Sequence, residues 1–313
     1  MTGTELLNVS ARFADMGPDG HADHSPPSRP VLRWHGGKWR LAAWIISNFP
    51  RHRTYVEPFG GAASVLMLKP RSYAEVYGDL DDEVVGLFRV LQDPAAAARL
   101  VELLVLTPFA RREFELSYEH ADEPIERARR LIIRAFMGYG SNAHASTARG
   151  HRSTGFRNNS SRSGTTPALD WRNYPACLAL IVDRLRGVVI EHRPATDVMA
   201  QHDRADTLHY VDPPYLPETR SPANKYDLKY RMYRHELDRG GHAQLLAFLR
   251  TLKGMVALSG YADPLYDEAL GDWRRVERMA YADGARPRTE VLWLNPALCA
   301  GIEAGPLFAG SAR

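Results

Sequence analysis

The stretch Tyr55-Val56-Glu57-Pro58-Phe59-Gly60-Gly61-Ala62-Ala63-Ser64-Val65-Leu66 decides the fold, because it predicts a β-strand, a tight turn of small residues and the start of a helix. Small residues in such a turn let a ligand approach the backbone, and the N–H groups at a helix N-terminus attract polar ligand atoms. Simple packing of a strand against a helix produces the same pattern. The turn by itself therefore identifies no ligand.

Two acidic residues, one before this turn and one at the end of the next predicted strand, indicate which kind of ligand the turn would bind. Asp79 ends the next β-rich run, about 20 residues after Gly60, where an acid can accept hydrogen bonds from ribose hydroxyls. Asp79 also suits the N-cap of the helical pattern over Leu80–Leu91. Glu57 would repel phosphates, and the turn lacks both G-x-G-x-x-G and a P-loop. The turn thus favours a nucleoside that carries a cationic amino acid, such as S-adenosylmethionine, over a dinucleotide.

Further β-rich runs alternate with helical patterns along the chain. The predicted strands are Thr54–Glu57, Ala74–Asp79, Val188–Glu191, Leu208–Asp212, Met255–Ser259, Arg275–Tyr281 and Glu290–Leu294. This alternation predicts an α/β fold with a mainly parallel sheet covered by helices on both faces. The short segment Asp283–Pro287 predicts a hairpin, and hence an antiparallel strand at the C-terminal end of the sheet.

Changes in composition predict the domain boundaries. Residues 1–29 are poor in apolar side chains and rich in Gly and Pro, which predicts a flexible tail. Residues 94–186 are mostly helical and contain the polar stretch Gly140–Gly164, which predicts an inserted subdomain. Residues 30–93 and 187–313 then form the α/β domain.

The overall composition excludes several classes of protein. The net charge of +3 does not by itself predict a nucleic-acid partner. Cys177 and Cys299 fit neither a disulfide framework nor a zinc cluster, so no metal and a reducing compartment are expected. No apolar run reaches the length of a membrane span, and the N-terminus does not resemble a signal peptide. We therefore expect a cytoplasmic protein without a membrane partner.

The stretch Leu208-His209-Tyr210-Val211-Asp212-Pro213-Pro214-Tyr215 carries the most chemical information. Prolines fix φ and offer no N–H, so the carboxylate of Asp212 and the carbonyl of Pro213 are held as rigid acceptors. Two such acceptors can take both N–H protons of a planar exocyclic amine, while Tyr215 stacks on the base. A strand that ends in a proline turn is the structural alternative.

Taken in order, these motifs resemble the Dam-like, or D12 class, adenine-N6 DNA methyltransferases. The resemblance covers roughly residues 31–297 and rests on Arg33-Trp34-His35-Gly36-Gly37-Lys38, Glu57–Ser64, Asp79, Asp212–Tyr215, Leu258–Tyr261 and Thr289–Trp293. It implies a Rossmann-like, S-adenosylmethionine-dependent methyltransferase. It also implies that the insertion at 94–186 is a helical DNA target-recognition domain.

The resemblance assigns roles to individual residues. It implies cofactor binding by Trp34, Lys38, Glu57, Pro58, Phe59, Gly60, Gly61, Asp79 and Asp212, and catalysis by Asp212, Pro213, Pro214 and Tyr215. Two positions depart from the family pattern. His35 replaces the usual alanine, and Ala63 replaces the last glycine of the turn motif. We expect the helix to have begun at Ala63, where alanine would be tolerated.

An arginine-rich region predicts the DNA-binding surface. Residues 127–193 contain many arginines, whereas their only acids are Asp170, Asp183 and Glu191. Arginine and asparagine suit contacts to phosphates and base edges, although a solvated loop would have a similar composition. The residues expected to bind DNA are Arg149, Arg152, Arg157, Asn158, Arg162, Arg220 and Lys225. We expect the segment Arg149–Arg162 to become ordered only on DNA.

These inferences combine into one functional hypothesis. The protein is expected to transfer a methyl group from S-adenosylmethionine to the N6 amino group of an adenine flipped out of double-stranded DNA. Methylation of cytosine N4 is the alternative reaction, although Ser-Pro-Pro-Tyr is its more usual motif. A catalytically inactive DNA-binding homologue is the alternative from another class. These motifs do not distinguish an enzyme of a restriction-modification system from one without a restriction partner. They are also compatible with either a monomer or a dimer.

Overall fold

The computed structural model describes residues 26–140, 154–159, 164–219, 235–282 and 286–305. The chain divides into two compact units. The first, which we call the helical unit, consists of Met1–Gly37 and Asp82–Arg186. The second, which we call the sheet unit, consists of Lys38–Asp81 and Gly187–Arg313. The second segment of the helical unit thus begins at Asp82, whereas the sequence placed the start of the predicted insertion at residue 94.

The sheet unit is built on a single seven-stranded sheet. Its strands are β1 (Thr54–Glu57), β2 (Ala74–Gly78), β3 (Val188–Glu191), β4 (Thr207–Val211), β5 (Met255–Gly260), β6 (Arg274–Ala282) and β7 (Arg286–Leu294). They are arranged in the order β3-β2-β1-β4-β5-β7-β6. Strands β1 to β5 are parallel, and β7 is antiparallel to both β5 and β6. The predicted α/β fold, with a mainly parallel sheet and a C-terminal antiparallel hairpin, is confirmed.

The helices of both units follow in chain order. They are α1 (Ala42–Ile46), α2 (Ser64–Leu68), α3 (Asp82–Gln92), α4 (Pro94–Leu106), α5 (Arg111–Leu116), α6 (Pro124–Met137), α7 (Pro167–Asn173), α8 (Leu178–Leu185), α9 (Ala195–His202), α10 (Arg239–Leu249), α11 (Pro264–Ala269) and α12 (Pro296–Glu303). Short 3₁₀ turns lie at Pro175–Cys177 and Pro217–Thr219. Helices α3 to α8 belong to the helical unit, and the others belong to the sheet unit.

The central strands of the sheet position the candidate site. Every residue of β4 and β5 is buried, as expected for parallel strands that are covered on both faces. Their apolar side chains join a core that includes Val56, Val211, Val256 and Leu258. The chain continues from β1 to β2 on one side, whereas β4 pairs with β1 on the other. Ligands of open α/β sheets bind beyond the carboxyl ends of the strands at such a switch point.

The helical unit is held by caps and by buried ion pairs. Asp93 caps α4, since its side chain accepts hydrogen bonds from Ala95 N and Ala96 N, and Pro94 occupies the first helical position. Arg134 on α6 donates from Nη2 to both carboxylate oxygens of Glu83 on α3, each at 2.8 Å. Such a bidentate pair, with most of the arginine buried, fixes how α6 packs on α3.

The predicted flexible tail falls partly outside the described residues. Residues 1–25 are not described, whereas Pro27 is already buried. Arg29 pairs with Asp170 at 2.8 Å within the helical unit. Pro27 and Arg29, which the sequence assigned to the flexible tail, therefore pack within the helical unit.

The described residues contain neither a membrane-spanning helix nor a cluster of metal-ligating side chains. None of their helices is long and apolar enough to cross a membrane. No group of three or more His, Cys, Asp and Glu side chains within the described ranges could hold a metal ion.

Candidate active site

The two predicted site motifs follow neighbouring parallel strands. Strand β1 pairs with β4 in the register Thr54↔Thr207 and Val56↔His209. The glycine turn follows β1, and Asp212 follows the last residue of β4 directly. Because parallel strands end at the same edge of a sheet, both motifs emerge side by side from the sheet unit.

The turn after β1 is fixed by hydrogen bonds to the end of β2. Gly60 N donates to Gly78 O at 2.8 Å, and Gly61 N donates to Oδ2 of Asp79 at 2.7 Å. The hydroxyl of Tyr77 donates to Gly61 O at 2.8 Å. A Cβ atom on Gly60 would overlap the ring of Tyr77, which is why glycine is required there. These bonds hold the turn in a shape that a ligand can approach closely.

The expectation that the helix has begun at Ala63 is wrong. Helix α2 starts at Ser64, and Ala63 is its N-cap residue with φ 53° and ψ 37°. Among the described residues other than glycine, only Ala63 has a positive φ. The left-handed conformation costs an alanine about 1 kcal/mol or more. The glycine expected by the family pattern would avoid this cost, so Ala63 stores strain in the turn.

Glu57 ends β1 and lies buried beneath the turn. Its Oε2 accepts hydrogen bonds from the hydroxyl of Tyr55 at 2.7 Å and from Leu66 N at 2.8 Å. Burial raises the pKa of Glu57 to about 8, although these two donors and Lys69 oppose the increase. Both donors use Oε2, so within the described residues Oε1 keeps its capacity to accept a hydrogen bond. Glu57 can thus take up or release a proton near neutral pH.

Asp79 lies directly after β2 and joins two parts of the backbone. Its Oδ2 accepts from Gly61 N, and its Oδ1 accepts from Asp81 N at 2.8 Å. Burial raises the pKa of Asp79, and these two N–H groups oppose the increase. Each carboxylate oxygen has a second lone pair, so the side chain can still accept from ribose hydroxyls. The bond to Asp81 N, just before α3, also resembles the capping role that the sequence left open.

The catalytic motif after β4 is organised by Lys38. Lys38 is buried, and its Nζ lies 2.8 Å from Oδ1 of Asp212. The same Nζ lies 4.6 Å from the centre of the Tyr215 ring. Burial raises the pKa of Asp212, while Lys38 lowers it and Glu290 raises it further. The sequence predicted that Lys38 binds the cofactor, but it did not predict the ion pair of Lys38 with Asp212.

Glu290 and Ser259 complete this cluster. Glu290 lies on β7 with an exposed fraction of 3%. Its Oε1 accepts hydrogen bonds from the hydroxyl of Tyr215 and, at 2.8 Å, from that of Ser259. Lys38 Nζ lies 3.7 Å from the same oxygen. Both residues lie in motifs that carry the family resemblance, Leu258–Tyr261 and Thr289–Trp293, but the resemblance assigned them no role. An acid at the head of the apolar run Glu290–Leu294 was the available clue.

The charges around the site favour a cationic ligand. The carboxyl groups of Asp212 and Glu290 share the ammonium group of Lys38, while Lys69 lowers the pKa of Glu57. A cation near Glu57 and Asp212 would oppose the effect of burial on their pKa values and favour their ionised forms. Together with the glycine turn, these carboxylate acceptors suit a ligand that carries a positive charge.

The remaining predicted cofactor residues are distributed over both units. Pro58 is buried at the end of β1, and Phe59 is half-buried and packs against the core of the sheet unit. Trp34 lies in a turn of the helical unit, where Gly37 N donates to Trp34 O at 3.2 Å. His35 is half-buried in that same turn. The roles of these residues toward a cofactor stay predictions.

The prolines of the catalytic motif lie where the sequence placed them. Pro213 is buried and Pro214 is half-buried, between Asp212 and Tyr215. Among the described residues, no donor bonds to the carbonyl of Pro213. That oxygen and the carboxylate of Asp212 remain the pair of acceptors expected for an amino group.

The predicted DNA-binding residues differ in whether the structure describes them and in how exposed they are. Arg149, Arg152, Arg162, Arg220 and Lys225 lie outside the described residues. Asn158 is exposed. Arg157 has an exposed fraction of 7%, and its Nη1 lies 3.7 Å from Asp170 Oδ2. Its burial is at odds with the expected contact to DNA.

The arginines of α6 explain why a count of charges along the chain overstated the basic surface. Each pairs with acids of the helical unit that mostly precede residue 127 in sequence. The pairs are Arg127–Asp82, Arg129–Glu113, Arg129–Glu126, Arg130–Glu126 and Arg134–Glu83. These arginines are therefore largely neutralised within the unit.

Comparison with known proteins gives two matches. The family described as D12 class N6 adenine-specific DNA methyltransferase matches residues 34–264. A DNA adenine methylase from Haemophilus influenzae is 34% identical over 65 residues, which are 20% of this chain and 22% of the relative. The chain thus matches about a fifth of that relative's length, whereas the family match spans most of the residues that build both units.

Proposed function

Because the chain belongs to the D12 class N6 adenine-specific DNA methyltransferases, we propose that it methylates the N6 amino group of adenine in double-stranded DNA with S-adenosylmethionine as the donor. The observation that carries this proposal is the placement of Asp212, Pro213 and Tyr215 at the end of β4, beside the glycine turn of β1. A rigid pair of acceptors faces the edge of the sheet where a cationic ligand is favoured.

The turn after β1 supplies the cofactor half of the site. Gly60 and Gly61 give the ligand access to the backbone, and Glu57 offers a carboxylate for its ammonium group. Asp79 accepts from the ribose hydroxyls. S-adenosylmethionine, when bound, supplies an electrophilic methyl group whose C–S bonding electrons return to sulfur as the methyl leaves. No metal ion is required for this chemistry.

The turn after β4 supplies the half of the site that receives the base. Asp212 and the carbonyl of Pro213 accept the two N–H groups of the adenine amine, which turns the nitrogen lone pair out of the base plane. That lone pair forms the new N–C bond, and the nitrogen then loses one proton to Asp212 or to solvent. Tyr215 stacks on the base, and burial holds the pKa of its hydroxyl well above the usual value, so it stays neutral. Orientation of the two reactants is the main source of rate acceleration.

The helical unit is the proposed DNA-recognition domain, and the exposed Asn158 is its described candidate contact. Arg149, Arg152, Arg162, Arg220 and Lys225 remain proposed contacts on the basis of sequence. The flipped base leaves its stack at a cost of about a few kcal/mol, which contacts to the phosphates would offset. The cytoplasmic location also stays a prediction.

Product analysis tests the proposed function. Unmethylated double-stranded DNA would be incubated with the purified protein and S-adenosylmethionine carrying a deuterated methyl group, and the nucleosides would be identified by mass spectrometry. We expect labelled N6-methyladenine, which requires both the protein and the donor. Long-read sequencing of DNA from cells that express the protein would then give the sequence context.

Two outcomes would contradict the proposal. Labelled N4-methylcytosine would identify the cytosine reaction instead. Failure to bind S-adenosylmethionine in calorimetry, with DNA present, would identify a non-catalytic DNA-binding protein.

A further inference from the structure

Glu290 reaches the candidate site because of the direction of its strand. Strand β7 runs antiparallel to β5, with Val291 paired to Gly260, the last residue of β5. Glu290 precedes this pair and so lies just beyond the carboxyl end of β5. The turn after β4 begins at the same edge, since β4 and β5 are parallel neighbours. An acid at this position of β7 therefore faces the site, although it lies far from Asp212 in sequence.

The contacts of Glu290 come from residues of the site. A single oxygen, Oε1, accepts from the hydroxyls of Tyr215 and Ser259, which lie 2.9 Å from each other. The same oxygen lies 3.7 Å from Lys38 Nζ. A buried carboxylate costs several kcal/mol unless donors compensate it, and here two of the donors belong to residues with proposed functional roles. A residue that served packing alone would not need a charge at this point.

We propose that Glu290 is a positioning residue for methyl transfer, which fixes the hydroxyl of Tyr215 and shares Lys38 with Asp212. This inference rests on the proposed function, since it assigns Tyr215 to the base and Asp212 to its amine. When the amine engages Asp212, Lys38 keeps a carboxylate partner in Glu290. By sharing Lys38, Glu290 leaves an oxygen of Asp212 available to the substrate. Through its contact with the Tyr215 hydroxyl, it also holds the ring of Tyr215 in place.

The charge of Glu290 also affects the pKa of Asp212. The groups that act on it are Lys38, Glu57, Tyr210, Tyr215, Tyr261, Tyr266 and Glu290. Lys38 lowers the pKa of Asp212, and the negative charge of Glu290 raises it. Removal of that charge leaves Lys38 to stabilise Asp212 alone. The Glu290→Gln variant is therefore expected to lower the pKa of Asp212.

The test compares Glu290→Gln, Glu290→Ala and the control Glu277→Gln. Glu277 is an exposed glutamate of the same hairpin that pairs with Arg275 at 2.6 Å, so its substitution removes the same charge outside the site. The first readout is the pH dependence of kcat for DNA methylation. The second is the titration of Asp212 in the cofactor-free protein, followed by NMR with carboxyl-¹³C aspartate and assigned with Asp212→Asn.

We expect Glu290→Ala to lower kcat about 100-fold, as a misplaced reacting group does. Glu290→Gln keeps an acceptor for both hydroxyls, so its loss should be closer to about tenfold. In Glu290→Gln the acidic limb of the pH profile and the Asp212 titration should both move down by about half a pH unit or more. Glu277→Gln should change neither readout.

The inference is overturned if Glu290→Gln leaves the Asp212 titration where it is in the wild type. It is also overturned if both Glu290 variants lose activity only in proportion to their loss of folded protein. A wild-type protein that does not methylate DNA would refute the proposed function, while the NMR titration would still decide whether Glu290 controls Asp212.

Discussion

The turns after β1 and β4 lie at the same edge of one sheet, yet they are stabilised in different ways. The turn after β1 is fixed by hydrogen bonds to the end of the adjacent strand β2, from Gly60 N to the carbonyl of Gly78 and from Gly61 N to the side chain of Asp79. The turn after β4 is held by charged side chains from distant parts of the chain, Lys38 and Glu290. Backbone shape defines the first turn, and electrostatic balance defines the second. The predictions below test this difference.

The largest effect is expected from the charged turn. Asp212→Ala removes the acceptor for the amine and leaves Lys38 beside Glu290, so methyl transfer should fall by about 1,000-fold or more. Binding of DNA should change little, because other residues carry those contacts, whereas the cation of S-adenosylmethionine loses one of its acidic partners and should bind more weakly. Single-turnover kinetics and titrations of both ligands measure these effects. Asp206→Ala, at the exposed opposite end of β4, is the control. Equal loss of transfer and binding would instead assign Asp212 a structural role.

The turn after β1 is expected to be sensitive to the size of the side chain at position 60. Gly60→Ala places a methyl group against the ring of Tyr77, and overpacking of this kind costs about 1–3 kcal/mol. We therefore expect a lower free energy of unfolding and weaker binding of S-adenosylmethionine, measured by denaturant titration and calorimetry. Gly86→Ala is the matched control, since it adds the same methyl group to α3 in open space. That control should be neutral or stabilise the protein by up to about 1 kcal/mol. Similar losses in both variants would show that the Tyr77 contact is unimportant.

The affinity of the turn after β1 for S-adenosylmethionine should depend on pH because of Glu57. Because its pKa is raised to about 8 in the folded protein, Glu57 is mostly protonated at pH 7. A cationic ligand favours the ionised form, so binding of S-adenosylmethionine should release a proton and tighten by up to about tenfold per unit as pH rises toward 8. Calorimetry in buffers of different ionisation enthalpy measures this release, and Glu57→Gln should abolish it.

The stability of the protein should show the opposite trend. The pKa of Glu57 is higher in the folded than in the unfolded state, so its contribution to stability is fully present below the unfolded value of about 4.5 and is lost as pH rises through about 8. The free energy of unfolding without ligand should therefore fall over this range, and the fall should be smaller in Glu57→Gln. An identical pH profile for both proteins would mean that Glu57 titrates normally.

The smallest effect is expected at Ala63. Ala63→Gly relieves the left-handed conformation, but it also removes a buried methyl group and increases the entropy of the unfolded chain. These contributions nearly cancel, so the free energy of unfolding should change by less than about 1 kcal/mol. Denaturant titration against the wild type measures the difference. A loss comparable to that of Gly60→Ala would show that the turn needs an alanine at this position.

Local sequence patterns determined much of this protein. Alternation of apolar runs with helical patterns predicted the strands of the sheet, because strand and helix periodicities are local properties of the chain. The glycine turn, Asp79 and Asp212-Pro213-Pro214-Tyr215 were found in the same way, because their geometry depends on neighbouring residues. Even there, the left-handed backbone of Ala63 was missed, since the sequence does not fix where the helix begins.

Only the tertiary structure decided which charges meet. Lys38 and Glu290 come from opposite ends of the sequence, and only the sheet order brings them to Asp212. The arginines of α6 and Arg157 seemed available for DNA by composition, but folding pairs them with acids inside the helical unit. Electrostatic interactions depend on distance and burial, which a linear pattern does not contain. The sequence thus predicted the residues of the candidate site, while the fold set their charge balance.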